Sequence, residues 1–396
     1  MSVYSIWPYF VTVAAITLFF ATPVFRFLDS APSDSAHRTS NLDGIRGFLA
    51  LSVMIDHAIV TYLWLKSGRW VVPPVVFYDQ LGTLAVAVFF MITGFLFWGK
   101  MITTSGRPNF ISLYINRVFR IGPVYLFAIA MMALIVLYRT GFALHQPLPD
   151  LIEAIATWSA LGLLGGPDFN GYSGVWMILA GVTWTLKYEW YFYFSLVATA
   201  RLATKLRTVF PAVAIIFCLV CAQIWPGRDW YLAALFGFGM VVSAIGRPGS
   251  FPMFRQAFKS AVALGLLALV FAGWSTPFGV MQVVLLGGFF YLICTGTTIF
   301  GLLTMRAAQR LGHISYSIYL LQGLVLTLIY SRRKIATFAL TLPSHYWLVV
   351  CLCALILSVM SSATYVLIEQ PGIRAGKNLA KFLSRRGPAA ATQQNA

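Results

Sequence analysis

NLDGIRGFLALSVMIDH, residues 41–57, sets Asp43, Arg46, Asp56 and His57 into an otherwise apolar run. Extended over about 44 to 65, the run reaches the roughly 20 residues that span a hydrocarbon core. Arg46 and His57 stand eleven positions apart. At about 100° per residue they come within about 20° of three full turns, so both side chains share one helix face about 16 Å apart along the axis. An ionisable group inside a spanning helix is costly and faces a cavity or a partner, which makes this pair the first candidate for chemistry.

Composition places the run in a bilayer. The 396 residues are 59% hydrophobic and 10% charged, with a mean hydropathy of +0.81, whereas soluble domains carry about 25% charged residues. Working outward, apolar segments fall at about 4–25, 44–65, 80–100, 119–138, 183–201, 208–225, 229–246, 259–275, 279–303, 313–330 and 346–368. The expected fold is therefore all-α, a polytopic membrane helical bundle of about eleven transmembrane helices. Met1 to Phe20 holds no Lys or Arg to form a basic n-region, so the first segment reads as a membrane helix and not as a cleaved signal peptide.

Basic residues near helix ends stay on the cytoplasmic side. With the amino terminus outside, twenty of the 28 Lys and Arg, from Arg26 and Arg38 through Arg247 to Arg386, fall on that side. Arg332, Arg333 and Lys334 do not, and they are the main strain on the scheme. Leu151 to Leu164 reads as a re-entrant or surface helix, followed by a loop marked by Gly165, Gly166, Pro167, Asp168, Asn170, Gly171 and Gly174. The net charge of +17 is dispersed over loops, which suits anionic lipid headgroups and argues against nucleic acid. Cys218, Cys221, Cys294, Cys351 and Cys353 lie in apolar helices without disulfide or metal spacing. The tail from Gly387 reads as disordered.

Three clusters carry chemistry. His57, with a reference pKa near 6.5, can take a proton at neutral pH. The alternative is a hydrogen-bonded structural histidine. Arg46 by itself reads as a basic residue at the cytoplasmic end; paired with His57 it can hold an anionic or carbonyl group, with Asp43 to orient it. Arg117 and Arg120 are i, i+3 neighbours on a loop entering a helix, a clamp for phosphate or else headgroup-facing residues. Glu189 lies in an aromatic-rich helix and needs a partner there, either His57, which it would orient, or Lys187 or Tyr188. Gly82, Thr93-Gly94-Phe95 and Ser315 to Gln322 read as close-packing positions.

Taken in order, these segments resemble the acyltransferase-3 family of integral membrane acyltransferases. Leu42-Asp43-Gly44-Ile45-Arg46-Gly47 with His57 looks like its arginine and histidine signature, and Gly82 with Val88 to Phe95 is similar to its second helix. Arg117 to Pro123 resembles its arginine-pair loop, and Trp184 to Tyr193 its tryptophan and glutamate helix. Ser315 to Leu320 and Glu369-Gln370-Pro371 look like its closing motifs. Members often have a histidine where Gln322 stands, which leaves His57 as the stronger base. The helix at about 4–25 is additional to the usual ten, and an extracellular hydrolase-like extension is absent from this sequence, so the membrane domain alone or with a separate partner is expected to complete the transfer.

The resemblance implies an acyl-CoA-dependent O-acetyltransferase in a bacterial inner membrane. It would move an acetyl group from cytoplasmic acetyl-CoA, without metal, to a hydroxyl of a lipid-linked surface glycan such as O-antigen or exopolysaccharide. Arg117, Arg120 and Arg46 would bind the donor. His57 would act as general base, with Glu189 or Asp56 steadying the imidazolium; an acyl-histidine intermediate is the competing mechanism. Implied partners are acyl-CoA, the saccharide acceptor, membrane lipid and polysaccharide-synthesis proteins. Three parts are expected: residues 1–40 as an extra helix and linker, 41–372 as the acyltransferase domain and 373–396 as a basic cytoplasmic, partly disordered tail. A secondary transporter or flippase of a glycan intermediate is the alternative class, although no related halves stand out.

Overall fold

The computed structural model describes residues 2–29, 40–245, 253–276 and 278–385. Arg38, Arg247, Arg386 and the tail from Gly387 lie outside the described residues, as does most of the expected linker. The helices are α1 (Trp7–Ala21), α2 (Ser40–Ser67), α3 (Val76–Thr103), α4 (Phe110–Arg139), α5 (Leu148–Trp158), α6 (Trp184–Thr199), α7 (Val209–Ile224), α8 (Arg228–Ile245), α9 (Met253–Gly273), α10 (Val280–Cys294), α11 (Arg306–His313), α12 (Ser315–Tyr330), α13 (Arg333–Thr341), α14 (Pro343–Thr364) and α15 (Gln370–Arg385). A helix occupies each of the eleven predicted apolar segments.

Length separates them. Six helices among the described residues are long and apolar enough to cross a membrane, or seven if α11 and α12, bent by 67°, count as one span. The apolar α1, α7 and α10 are shorter, and at 15 or 16 residues they reach only about 22 to 24 Å of a hydrocarbon core of about 30 Å. The chain is thus an all-α, multi-pass membrane protein.

The two polar-marked helices are central. Within their apolar windows α2 and α3 are 72% and 78% buried, against 17% for α9, which leaves α9 with its apolar surface outward. Close approach is possible because glycines stand at the crossings. A Cβ on Gly44 would strike the Leu303 backbone and one on Gly312 the Asp43 carbonyl, so α2 and α11 touch at the level of Arg46. Gly94 and Gly239 bring α3 and α8 together in the same way.

Between α4 and α15 the device is different. Pro123 lies inside α4, has no N–H and leaves the Phe119 carbonyl without its helical donor. Gly372 of α15 packs into that notch, against Phe119 O and the Pro123 ring. The helix containing α14 runs on into α15 through a single π turn at Tyr365–Glu369, a local widening often found at functional sites. Residues 373–385, assigned from sequence to the tail, are therefore helical and docked on α4.

The segment after α5 is a hydrogen-bonded loop. Asn170 is fully buried and donates to Thr140 Oγ1 at 2.7 Å and the Ala143 carbonyl at 2.9 Å, while Asp168 accepts from the Gly174 and Val175 amides at 2.9 Å. Arg332, Arg333 and Lys334 sit past the far end of α12, opposite the end where Ser315 and Tyr316 lie. The amino terminus is at that far end too, where Val3 and Ser5 carbonyls accept from Trp347 and Tyr78.

Candidate active site

At the basic end of the bundle a cavity of about 760 Å³ opens between α2, α3, α4, α6, α12 and α15, a size typical of small-molecule sites. Arg46 comes from α2, Lys100 from α3, Arg117 and Arg120 from α4, and Arg374 and Lys377 from α15. Asp43 and Glu189 are its acidic lining residues, and Tyr193, Tyr316, Tyr319 and Tyr365 its phenols. The cavity thus brings together Arg46, Arg117, Arg120 and Glu189, from three clusters far apart in sequence.

Two of these arginines are ion-paired with carboxylates. Arg46 Nη1 is 3.6 Å from Asp43 Oδ1, one helical turn back. Arg120 Nη2 is 3.2 Å from Oε1 of the wholly buried Glu369, whose other oxygen accepts from Ser317 at 3.1 Å. Arg117 lies 4.8 Å over the Phe97 ring and is one of the cations nearest Glu189, with Arg46 and Arg120. Glu189 accepts a hydrogen bond from Tyr193 at 2.8 Å. Its partners are thus Tyr193 and the arginine cluster, where sequence reasoning weighed His57, Lys187 and Tyr188. The reason is register: Tyr193 is four residues on, one turn along the same face.

His57 is not among the lining residues. It lies about 16 Å further along α2, beyond the buried Ala50 and Val53, with its side chain 18% exposed. Its Nδ1 is 2.9 Å from the Val53 carbonyl. A carbonyl only accepts, so Nδ1 donates to it in the tautomer that carries the proton there. Asp56 Oδ2 is 3.8 Å from Nδ1, and Asp56 itself packs where Gly82 leaves room on α3. The backbone of Ala180 reaches the imidazole, and Trp70 stands 6.4 Å away, in turn 5.5 Å from Trp176.

One turn of chain separates the cavity from the histidine. Tyr319, in the cavity wall, donates to the Val182 carbonyl at 3.0 Å and is 2.9 Å from Thr185 Oγ1. Two residues earlier is Ala180, which with Gly181 has positive φ, 53° and 69°, so a strained turn stands between the two polar regions. Gln322 is buried, donates to the Tyr319 carbonyl at 2.9 Å, and its Oε1 has no partner. Sequence reasoning missed Lys100, Arg374 and Lys377 as site residues. The signal for the last two was present: Gln370, Arg374 and Lys377 repeat at i, i+4, i+7 along one face.

Among the described residues no three His, Cys, Asp or Glu side chains cluster as a metal site. Residues 39–363 match the acyltransferase domain of the acyltransferase-3 family, and the chain belongs to that family of membrane acyltransferases. It is similar to Nodulation protein 10 of Rhizobium leguminosarum bv. viciae, 31% identical over 175 residues, or 41% of this chain and 44% of that protein. The chain thus matches less than half the length of this curated relative. No solved structure matches it.

Proposed function

We propose that this family member is an O-acetyltransferase of a bacterial inner membrane, carrying acetyl from cytoplasmic acetyl-CoA to a hydroxyl of a lipid-linked surface glycan, O-antigen or exopolysaccharide. The observation that carries the proposal is the cationic cavity walled by Arg46, with His57 on the same helix. All eleven apolar segments then cross or enter the membrane, with the amino terminus outside, the cavity open to the cytoplasm and the carboxyl terminus inside.

Arg117 and Arg120 flank the donor, and Arg46 draws its thioester end inward. His57 takes the acceptor hydroxyl proton as that oxygen bonds to the thioester carbon. The carbon–sulfur bond breaks, and the imidazolium gives the proton to the departing thiolate. Asp56, beside Nδ1, steadies the positive charge. Glu189 balances the arginines. For the two substrates to meet, the backbone of Ala180 has to leave the imidazole, which the strained turn at 180–181 favours.

General-base action is worth about 10² to 10⁴-fold. Membranes holding the wild-type protein should transfer labelled acetyl to purified glycan, and His57→Ala at equal protein level should lose at least about a hundredfold. Wild-type transfer by His57→Ala would end the proposal. Glycan export lost with acetylation intact would favour a transporter.

A further inference from the structure

The cavity is lined by six cations among the described residues: Arg46 is paired with Asp43 and Arg120 with Glu369, while Arg117 lies over the Phe97 ring and shares the field of the Glu189 carboxyl with the other two arginines. Lys100, Arg374 and Lys377 have no carboxylate ion pair among the described residues. The surplus positive charge of the cavity therefore sits on one residue of α3 and two of α15, at its mouth. Arg374 and Lys377 are three positions apart and exposed, so they share a face. Gly372 and Gly376 on the opposing stripe hold α15 against Pro123, Phe119 and Ile115 of α4. The face bearing Arg374 is thus fixed over the opening.

Deepening the donor reading, and resting on it, we infer that α15 is part of the donor site: Arg374 and Lys377, with Lys100, bind the phosphates at the nucleotide end of acyl-CoA. Arg46 and Arg120, already paired with carboxylates, and Arg117, in the field of Glu189, then line the route for the neutral pantetheine arm. A phosphate-rich group gains most where cations are not already neutralised. The sequence assigned these two residues only to a basic tail, and the family match stops at residue 363, before either of them.

The test uses the full-length protein in nanodiscs of phosphatidylcholine, with and without phosphatidylglycerol. Transfer is measured with acetyl-CoA and with acetyl-pantetheine, which lacks the nucleotide and its phosphates. For Arg374→Gln/Lys377→Gln we expect KM for acetyl-CoA to rise about tenfold with kcat kept, and no change with acetyl-pantetheine. The charge-preserving Arg374→Lys/Lys377→Arg should retain most donor affinity, which separates charge from folding. An unchanged KM for acetyl-CoA, or an equal rise for both donors, overturns the inference and leaves the transferase reading standing. An effect seen only with phosphatidylglycerol assigns the cations to lipid headgroups and also overturns it. If the wild-type protein uses neither donor, the donor reading itself falls.

Discussion

Asp29→Ala should loosen the first helix from the rest of the bundle. Arg310 is 3% exposed and reaches from α11 across the end of α1 to the turn at Pro23–Leu28. Its Nε and Nη2 donate to the two Asp29 oxygens at 2.7 and 2.9 Å, and its Nη1 to the Phe20 and Thr22 carbonyls at 2.7 and 2.9 Å. His313 adds a 2.7 Å contact from Nδ1 to the Leu28 carbonyl. Breaking a buried pair on one side costs about 3 to 5 kcal/mol. The Asp29 side chain is 40% exposed, so solvent screening removes roughly half. About 2 kcal/mol remains for Asp29→Ala, and about 1 kcal/mol for Asp29→Asn, which keeps one acceptor.

The pH dependence has a definite sign. Hydrogen bonds from Arg310 hold the Asp29 carboxyl below its ordinary value. The pair's contribution is full above the unfolded value near 3.9 and is lost as pH falls through the lower folded value. Denaturant unfolding of detergent-solubilised protein should show wild type ahead of Asp29→Asn by a constant margin from about pH 5 to 8, narrowing below about pH 4. Equal stability of wild type and Asp29→Ala at neutral pH, or a margin that stays constant into strong acid, would refute the reasoning.

Three further substitutions test the packing and the turn beside the site. Gly312→Ala puts a methyl onto the Asp43 carbonyl and should cost about 1 to 3 kcal/mol by overpacking. Gly265→Ala in α9, where nothing lies within 4 Å, should be neutral or gain up to about 1 kcal/mol; the opposite order in detergent unfolding would discard the close-approach account. Tyr319→Phe removes the bond to Val182 and should cost about 1 kcal/mol. It should also raise acetyl-CoA hydrolysis relative to transfer, read as thiol released without acceptor. An unchanged ratio would separate the turn at 180–182 from the reaction.

Helix positions were legible from hydropathy because a bilayer allows few backbone solutions, and apolar length alone marks them. Arg46, Arg117, Arg120 and Glu189 were legible as well, since a charged group in an apolar helix stands out. Their pairings were not. Glu189 could be matched to His57 or Lys187 on paper, yet the register of α6 turns it toward Tyr193 and the arginines. Lys100 looks from sequence like an ordinary basic residue at a membrane edge, and although Arg374 and Lys377 share a helix face with Gln370, that face points to a site only once all three cations stand around one opening.

By itself the sequence determined an all-α membrane bundle, the family, and a histidine eleven residues past an arginine on one helix face, because these depend on periodicity, apolar length and local spacing. The tertiary structure decided which charges neutralise one another, how α15 docks through the notch at Pro123, and that the cavity ends a strained turn short of His57. Those follow from contacts between residues distant in the chain, such as Arg120 with Glu369 and Arg310 with Asp29, whose geometry no local pattern encodes.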